Sequence, residues 1–154
     1  MFTHILTATD GSEGAKHAVS AAAELARRYG AKLTVLNVFE PPVPPMPPVG
    51  AAIPMGLDAA SFGAWNDAAR EWAAAMKESV EANVRDAVGP EPLDYVFRQE
   101  TGHPADTILR AAESGKADLV VVGSRGLSGI KSFLLGSVSD RVVHHSHCPV
   151  LVTK

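Results

Sequence analysis

The sequence predicts a single α/β domain: a doubly wound parallel sheet with helices on both faces. Strand-like runs alternate along the chain with amphipathic helical patterns, an order typical of parallel strands joined by right-handed crossovers. The run at 119–122 is continuously apolar, as expected of a strand that is buried on both faces. A length of 154 residues is enough for one domain with a substantial core.

The beginning of the chain contains two predicted strands and a helix between them. Residues 4–9 and 32–39 are the strand-like runs. Alanine, valine and leucine at helical spacing between them predict a helix that ends at Gly30. Before this helix, Asp10 and Ser12 are both candidate N-caps, and Asp10 precedes Glu13 at capping-box spacing.

A proline-rich stretch follows the second predicted strand. Residues 40–55 contain seven prolines, which exclude a helix or a central strand and favour an extended polyproline conformation. We interpret residues of about 40–60 as an insert loop of the domain. It is either a tolerated surface insertion or a segment that covers a site or binds a partner.

A long helix is predicted next, over residues 61–88. Apolar side chains recur there at three- and four-residue steps and form one stripe, which includes Trp65, Trp72 and Met76. Both tryptophans are expected in the core rather than as stacking surfaces for a ligand.

Three further strands and two helices complete the predicted order. The strands are expected at 93–98, 119–122 and 149–152, and the last helix at 138–143. The other helix begins with proline at its first position and ends at a glycine. This helix is expected to begin at Pro104, to close at Gly115 and to carry Ala105, Ile108, Leu109 and Ala112 inward.

Composition narrows the class of protein. Hydrophobic residues make up 46% of the chain and charged residues 20%, and the formal net charge is -3. A nucleic-acid partner is not expected, because no run of basic residues accompanies this charge. The start of the chain has no signal-peptide pattern, no apolar stretch would span a bilayer, and Cys148 is the single cysteine. We therefore expect a cytoplasmic protein without membrane insertion.

A glycine-serine pattern near the end of the chain indicates a phosphate-binding turn. Gly123 and Gly126 follow the strand at 119–122, and after nine more residues Gly136 and Ser137 precede the last helix. Glycines allow the backbone to approach an anion, and the first amides of a helix point at it. Alternatively, these glycines simply turn the chain. The pattern is neither a Walker A loop, since Ile130 stands where that motif needs glycine, nor the dinucleotide fingerprint.

In a doubly wound sheet, ligands bind outside the carboxyl ends of the strands where the winding reverses. Asp10 directly follows the first predicted strand and Gly123 the fourth, so both are expected at one crevice. Asp10 then contacts a bound ligand or a phosphate-bound metal ion, or it simply caps a helix. Arg125 pairs with phosphate, or it is a solvated loop residue.

Histidine and cysteine cluster before the last strand, at His144, His145, His147 and Cys148. We do not expect a metal site there, because the segment crosses from a helix end into a strand and its side chains diverge. His103, at a predicted helix cap, is not expected to act as a base, and no catalytic residue is assigned.

The whole set of motifs resembles the universal stress protein family. The resemblance covers nearly the whole chain apart from the insert. The segments that carry it are Asp10-Gly11-Ser12, Gly102-x-Pro104-Ala105-x-x-Ile108, the run from Ala117 to Gly126, Gly136-Ser137-Val138, and Cys148-Pro149-Val150-Leu151-Val152. The spacing of the glycines is similar to the family's ATP-binding subgroup. The resemblance implies a Rossmann-like, adenine nucleotide alpha hydrolase-like fold over residues 1–154, with five strands in the order 3-2-1-4-5.

The resemblance also implies a site and a function. Ala8, Thr9 and Asp10 would line the adenine and ribose side, Val38 would meet adenine through its backbone, Val122, Gly123, Arg125 and Gly126 would surround ribose and phosphates, and Gly136, Ser137, Val138 and Ser139 would hold the phosphate chain. The expected ligand is ATP, or AMP or ADP, with Mg²⁺ carried by its phosphates. The expected function is that of a stress-response regulator that hydrolyses ATP slowly at most.

Two alternative functions remain open from the sequence. One is an ATP-consuming enzyme, although no convincing base stands next to the glycine-rich loop. The other is a dimeric interaction protein without a ligand. A homodimer is expected in either case, through the apolar terminal strand at 150–153, whose edge can pair with a second copy.

Overall fold

Strands and helices alternate along the described residues, which are 1–43, 59–126 and 135–154 of this computed structural model. In chain order the elements are β1 (His4–Thr9), α1 (Glu13–Tyr29), β2 (Lys32–Phe39), α2 (Ala59–Val88), β3 (Tyr95–Thr101), α3 (Pro104–Ser114), β4 (Leu119–Gly123), α4 (Ser137–His145) and β5 (Val150–Thr153). The five strands form one parallel sheet in the order β3-β2-β1-β4-β5. The predicted fold class and strand order are confirmed.

Two apolar clusters cover the two faces of the sheet. Ile5 of β1 packs with α1 and the carboxyl-terminal half of α2, whereas Leu6 packs on the other face with α3 and α4. Successive strand residues point to opposite faces, so one strand serves both clusters. Because both faces are buried, β4 needs no polar residue between Leu119 and Val122.

The bounds of β1 and β2 agree with the prediction, but those of β3 do not. β3 runs from Tyr95 to Thr101, beyond the predicted 93–98. Its polar carboxyl end continues to pair with β2, up to the match of Thr101 with Phe39. Backbone hydrogen bonding to the neighbouring strand therefore extends β3 through a segment whose side chains gave no apolar signal.

The predicted burial of the α2 stripe is wrong for its amino-terminal half. Val80, Val84 and Val88 are buried, but the side chain of Trp72 is 62% exposed and that of Met76 is 40% exposed. Trp65 is half-buried. A helix of 30 residues is about 45 Å long, whereas a strand of eight residues spans roughly 26 Å. The described strands are too short to cover the whole stripe.

Helices α1 and α3 begin largely as expected and differ in detail. α3 starts with Pro104 at its first position, but Leu109 is half-buried where it was expected inside, while Thr107 is buried. At the start of α1, Ser12 is the N-cap, and its hydroxyl oxygen accepts from the Ala15 amide at 3.3 Å. The alternative that Asp10 caps this helix is therefore wrong.

Two predicted features fall partly outside the described residues. Most of the proline-rich insert (residues 44–58) and the middle of the glycine-serine pattern (residues 127–134) are not described, so the role of the insert stays a prediction. In the described ranges, no helix has both the length and the hydropathy needed to cross a bilayer. The compartment also stays a prediction.

Asp118 joins the amino ends of β1 and β4. Its carboxylate accepts hydrogen bonds from the Thr3 amide at 2.8 Å, the Thr3 hydroxyl at 2.7 Å and the His4 amide at 3.2 Å. Burial acts to raise the pKa of Asp118, but the hydrogen bonds together outweigh it and hold the pKa below its ordinary value. The charged carboxylate therefore stabilises the folded state at neutral pH.

The substitution Asp118→Asn is expected to lower the free energy of unfolding by about 1 kcal/mol at pH 7, because an amide oxygen is a weaker acceptor than a carboxylate. The difference should be complete above about pH 4, the ordinary carboxyl pKa, and should shrink as the pH falls through the lower pKa of the folded wild type. Urea unfolding of both proteins at pH 7 and near pH 3 measures it. An equal difference at the two pH values would contradict this role.

Candidate functional site

The winding direction of the sheet reverses between β1 and β4. From β1 the chain proceeds to β2 and β3 on one side, while β4 and β5 lie on the other side. The connections leave these two strands in opposite directions, and a crevice opens between their carboxyl ends. The turn after β1 carries Asp10, and β4 ends in Gly123. Both residues lie at this crevice, as their positions in the sequence predicted.

A cavity of about 380 Å³ occupies the crevice. All twelve residues predicted for the site line it: Ala8, Thr9, Asp10, Val38, Val122, Gly123, Arg125, Gly126, Gly136, Ser137, Val138 and Ser139. Five residues that were not predicted complete the described wall: Ala15, Leu36, Glu40, Pro104 and Ile108. The fold thus brings the predicted set together, and binding of a nucleotide by this set stays a prediction.

Most of the missed wall residues follow from simple spacing. Leu36 and Glu40 stand two residues before and after Val38, and alternation along a strand places such residues on one face. Pro104 and Ile108 are four residues apart, so they share one face of α3. These four residues could therefore have been predicted once Val38 and the start of α3 had been assigned.

The amino end of α1 touches β4 through two glycines. A Cβ atom on Gly123 would lie 2.7 Å from the Gly14 carbonyl oxygen, and one on Gly14 would lie 2.9 Å from the Arg125 carbonyl oxygen. Both distances are too short for a real side chain, and the opposing atoms belong to the backbone. Gly123 is therefore needed for helix packing, whatever its role in ligand binding, and Gly14 is a partner that the sequence did not reveal.

Asp10 stands where β1 ends and faces the turn after β4. Its Oδ1 accepts a hydrogen bond from the Ser12 amide at 3.0 Å, which orders the turn into α1. Its other carboxylate oxygen, Oδ2, lies so close to Gly126 that a side chain there would meet it. Gly126 therefore leaves room for this carboxylate on the cavity wall.

The start of α4 contributes hydrogen-bond donors to the cavity. The amide of Gly136 donates to the Ser124 carbonyl at 2.7 Å, and the Ser139 hydroxyl lies 3.1 Å from the same oxygen. These two groups are used within the protein. The amides of Ser137, Val138 and Ser139 belong to the first helical turn and have no intrahelical acceptor, and Gly136 has no side chain to cap them. These three amides and the Ser137 hydroxyl are therefore the donors of this turn that are candidates to meet an anion.

The cavity has an apolar end and a polar end. Side chains of β2 and α3 form the apolar end, and it comprises Leu36, Val38, Pro104 and Ile108. The turns around β4 and α4 form the polar end, where Arg125 is exposed and has no ion-pair partner among the described residues. This arrangement suits a ligand with a flat apolar part and an anionic part.

A row of polar side chains supports the cavity from the other face of the sheet. Asn37, which is 1% exposed, donates from Nδ2 to the Thr9 carbonyl at 2.8 Å. Gln99 donates from Nε2 to Asn37 Oδ1 at 2.9 Å and lies 3.2 Å from the Ala73 carbonyl of α2. Thr9, Asn37 and Gln99 are register partners on β1, β2 and β3. Their hydrogen bonds therefore fix the carboxyl ends of these strands relative to α2.

The histidines near α4 contact different backbone carbonyls. His144 Nδ1 lies 2.8 Å from the Asp140 carbonyl oxygen, and His147 Nε2 lies 3.1 Å from that of Ala117, just before β4. Across the described ranges, no three histidine, cysteine or acidic side chains are grouped as metal ligands. His103 is the N-cap residue of α3, but its side chain makes no capping hydrogen bond. Its Nδ1 lies 3.6 Å from Asp106 Oδ2.

A second concavity of about 490 Å³ follows the exposed side of α2. Its described wall is formed by Pro42 and by residues of α2, chiefly alanines with Trp65 and Trp72, and its charged member is Glu71. It offers no described cation and no helix terminus to a phosphate. The cavity at the strand ends is therefore the better candidate for an anionic ligand.

Fold and cavity together define the class of protein: a Rossmann-like α/β domain whose ligand cavity lies at the point where the sheet winding reverses. The family model "Universal stress protein family" matches residues 1–154. The chain is also 36% identical over 154 residues to the Thermus aquaticus protein "Universal stress protein in QAH/OAS sulfhydrylase 3'region", with 100% of each chain covered. This chain belongs to the universal stress protein family.

Solved structures agree with this assignment. Universal stress protein UspA from Lactobacillus plantarum is 25% identical with a TM-score of 0.78, and the match covers 99% of this chain and 97% of that chain. A universal stress protein solved in complex with cAMP is 28% identical with a TM-score of 0.64, covering 99% of this chain and 96% of that one.

Proposed function

We propose that this chain binds ATP, or ADP or AMP, in the cavity at the carboxyl ends of β1 and β4. In this proposal it is a regulatory member of its family, in the ATP-binding subgroup, and acts in the stress response. The observation that carries the proposal is the polarity of the cavity. Apolar side chains of β2 and α3 share its wall with Arg125 and the first turn of α4.

Each end fits one part of the nucleotide. The apolar end would hold the adenine ring, with the backbone of Val38 at its edge, and the turn after β1 would face the ribose. The amides of Ser137, Val138 and Ser139 would accept the phosphates together with the Arg125 guanidinium. The relative solved with cAMP, another adenine nucleotide, supports this choice of ligand.

Magnesium would accompany the phosphates. Mg²⁺ prefers oxygen ligands and usually binds through one or two carboxylates plus phosphate oxygens. The Asp10 carboxylate, for which Gly126 leaves room, and the Ser137 hydroxyl are the described oxygen donors that fit such an ion. When bound, the ion would neutralise phosphate charge. Asp10 would orient it from the side of β1.

Slow hydrolysis at most is part of the proposal. Rapid phosphoryl transfer needs a positioned water and several cationic groups at the transferred phosphate. Arg125 is the cationic side chain on the described wall, and the described carboxylates there are Asp10 and Glu40. Turnover with Mg²⁺ at about 1–1,000 per second, the usual enzymatic range, would contradict a purely regulatory role.

Analysis of the purified protein tests the proposal directly. The protein is denatured, and any released nucleotide is identified by mass spectrometry. Nucleotide-free protein is then titrated calorimetrically with ATP, ADP and AMP, with and without Mg²⁺. We expect saturable binding of an adenine nucleotide at one site per chain. If no nucleotide is released and no titration shows binding, the proposal is wrong and a ligand-free interaction protein becomes the better hypothesis.

The edge strand β5 is proposed to form a homodimer. β5 is at one edge of the sheet, so one side of its backbone has no neighbouring strand within the described fold. The Leu151 side chain on this strand is 39% exposed. An exposed apolar edge is a template for pairing with a second copy.

The substitution Leu151→Lys is expected to convert the dimer to a monomer, because a charged side chain on an edge strand opposes edge-to-edge pairing. Sedimentation equilibrium at micromolar concentrations measures the change. Val143→Lys is the matched control, since Val143 is 40% exposed on α4 and lies outside the edge strand. The prediction is wrong if both variants stay dimeric or if both become monomeric.

A further inference from the structure

Two opposite charges line the cavity on either side of β1. Glu40 directly follows β2, and Arg125 comes two residues after β4. β2 and β4 are the two neighbours of β1, and adjacent strands are about 4.8 Å apart. The negative charge therefore lies at the apolar end, on the β2 side, and the positive charge lies at the polar end.

The position of Glu40 follows from the alternation of β2. Leu36, Val38 and Glu40 are two residues apart and line the same wall, so Glu40 continues the apolar face past the end of the strand. Pro104 and Ile108 of α3 complete this end of the cavity. A flat ring that packs between β2 and α3 would present its edge to the Glu40 carboxylate at the rim.

Glu40 has no ion-pair partner among the described residues. It is exposed, so water solvates the carboxylate when the cavity is empty. An ionised carboxylate only accepts hydrogen bonds. A ligand group that displaces this water must therefore donate a hydrogen bond, and a carbonyl oxygen at the same place would repel the carboxylate.

From this placement, and resting on the proposed function, we propose that Glu40 determines the base specificity of the site. Its carboxylate accepts a hydrogen bond from the exocyclic amino group of adenine. A base that presents a carbonyl oxygen at that position is rejected. Arg125 and the α4 amides fix the other end of the ligand, so the two charges set the direction in which the nucleotide enters.

Comparison of ATP with ITP tests the inference, because the inosine base carries a carbonyl oxygen where adenine carries the amino group. Wild-type protein is expected to bind ATP about tenfold more tightly than ITP. In Glu40→Gln, whose amide both donates and accepts, the ratio of the two dissociation constants should fall to within about threefold. Loss of one negative charge changes the affinity for both triphosphates alike, so the ratio isolates the effect on the base.

Glu113→Gln is the matched control, since Glu113 is exposed on α3 and removal of its charge is the same change outside the cavity wall. It should keep the wild-type ratio. If wild-type protein binds neither nucleotide, the proposed function itself is wrong. If ATP binds but Glu40→Gln keeps the wild-type ratio, or if wild type does not discriminate, the proposed function stands and the role of Glu40 is refuted.

Discussion

Replacement of Gly136 by valine is expected to raise the dissociation constant for ATP by about 100-fold or more, which is about 2.7 kcal/mol of binding free energy. The added isopropyl group would occupy the cavity in front of the first amides of α4. Calorimetric titration of the variant with ATP measures the loss.

The folded state should tolerate this change. A Cβ atom on Gly136 would be 3.5 Å from the Ser124 carbonyl oxygen and 3.6 Å from Ser139 Oγ, which are ordinary contacts. The backbone φ of -75° is open to any residue. Valine is a poorer N-cap than glycine, so we expect the free energy of unfolding to fall by about 1 kcal/mol at most.

Gly63→Val serves as the control for this experiment. Gly63 lies on α2, and a Cβ atom there would meet nothing within 4 Å. This variant should bind ATP as the wild type does. If Gly136→Val binds ATP with unchanged affinity, the phosphates do not lie at the start of α4.

Replacement of Gly123 by alanine is expected to lower the free energy of unfolding by about 3 kcal/mol. The new methyl group would be 2.7 Å from the Gly14 carbonyl oxygen, 2.8 Å from its carbon and 3.2 Å from the Ala15 nitrogen. These are backbone atoms at the start of α1, so no side-chain rotation relieves the contact and the helix must move away from β4.

Gly136→Ala is the matched comparison, because it adds the same single carbon at the same cavity. Its nearest contact is 3.5 Å, so its unfolding midpoint in urea should stay close to that of the wild type. Two variants with equal midpoints would show that the contact between α1 and β4 is not tight. If Gly123→Ala lowers the midpoint and Gly136→Ala does not, Gly123 is required for packing and Gly136 is not.

Short sequence patterns located β1, β2 and the start of α3, because strand preference and helix-start residues act over a few neighbouring residues. Strand-like runs between turn residues gave His4–Thr9 and Lys32–Phe39 to the residue, and a proline at the first helical position gave the start of α3. All twelve residues expected at the site line the cavity, but the full set was implied by a family resemblance, whereas strand ends and glycine spacing alone indicated Asp10, Gly123, Gly126, Gly136 and Ser137. Their nucleotide assignment came from a family resemblance, and spacing indicated phosphate alone.

Features that depend on distant parts of the chain were missed. The exposure of Trp72 depends on how far the sheet extends under α2, and the extension of β3 to Thr101 depends on pairing with β2. Gly14 shows no motif of its own, and its close approach to Arg125 exists because α1 crosses β4 at that point. Each of these results needs the relative position of two elements.

By itself, the sequence determined the order of the elements, the fold class and the gathering of Asp10, Gly123 and the start of the last helix at one end of the sheet. It could do so because strand and helix periodicity, glycine turns and first-turn donors are properties of short segments. The tertiary structure decided which donors are already used, as with the Gly136 amide bound to Ser124, and which distant side chains line the same cavity, as with Glu40 and Arg125. Those outcomes follow from packing between elements far apart in the chain, and no short segment encodes them.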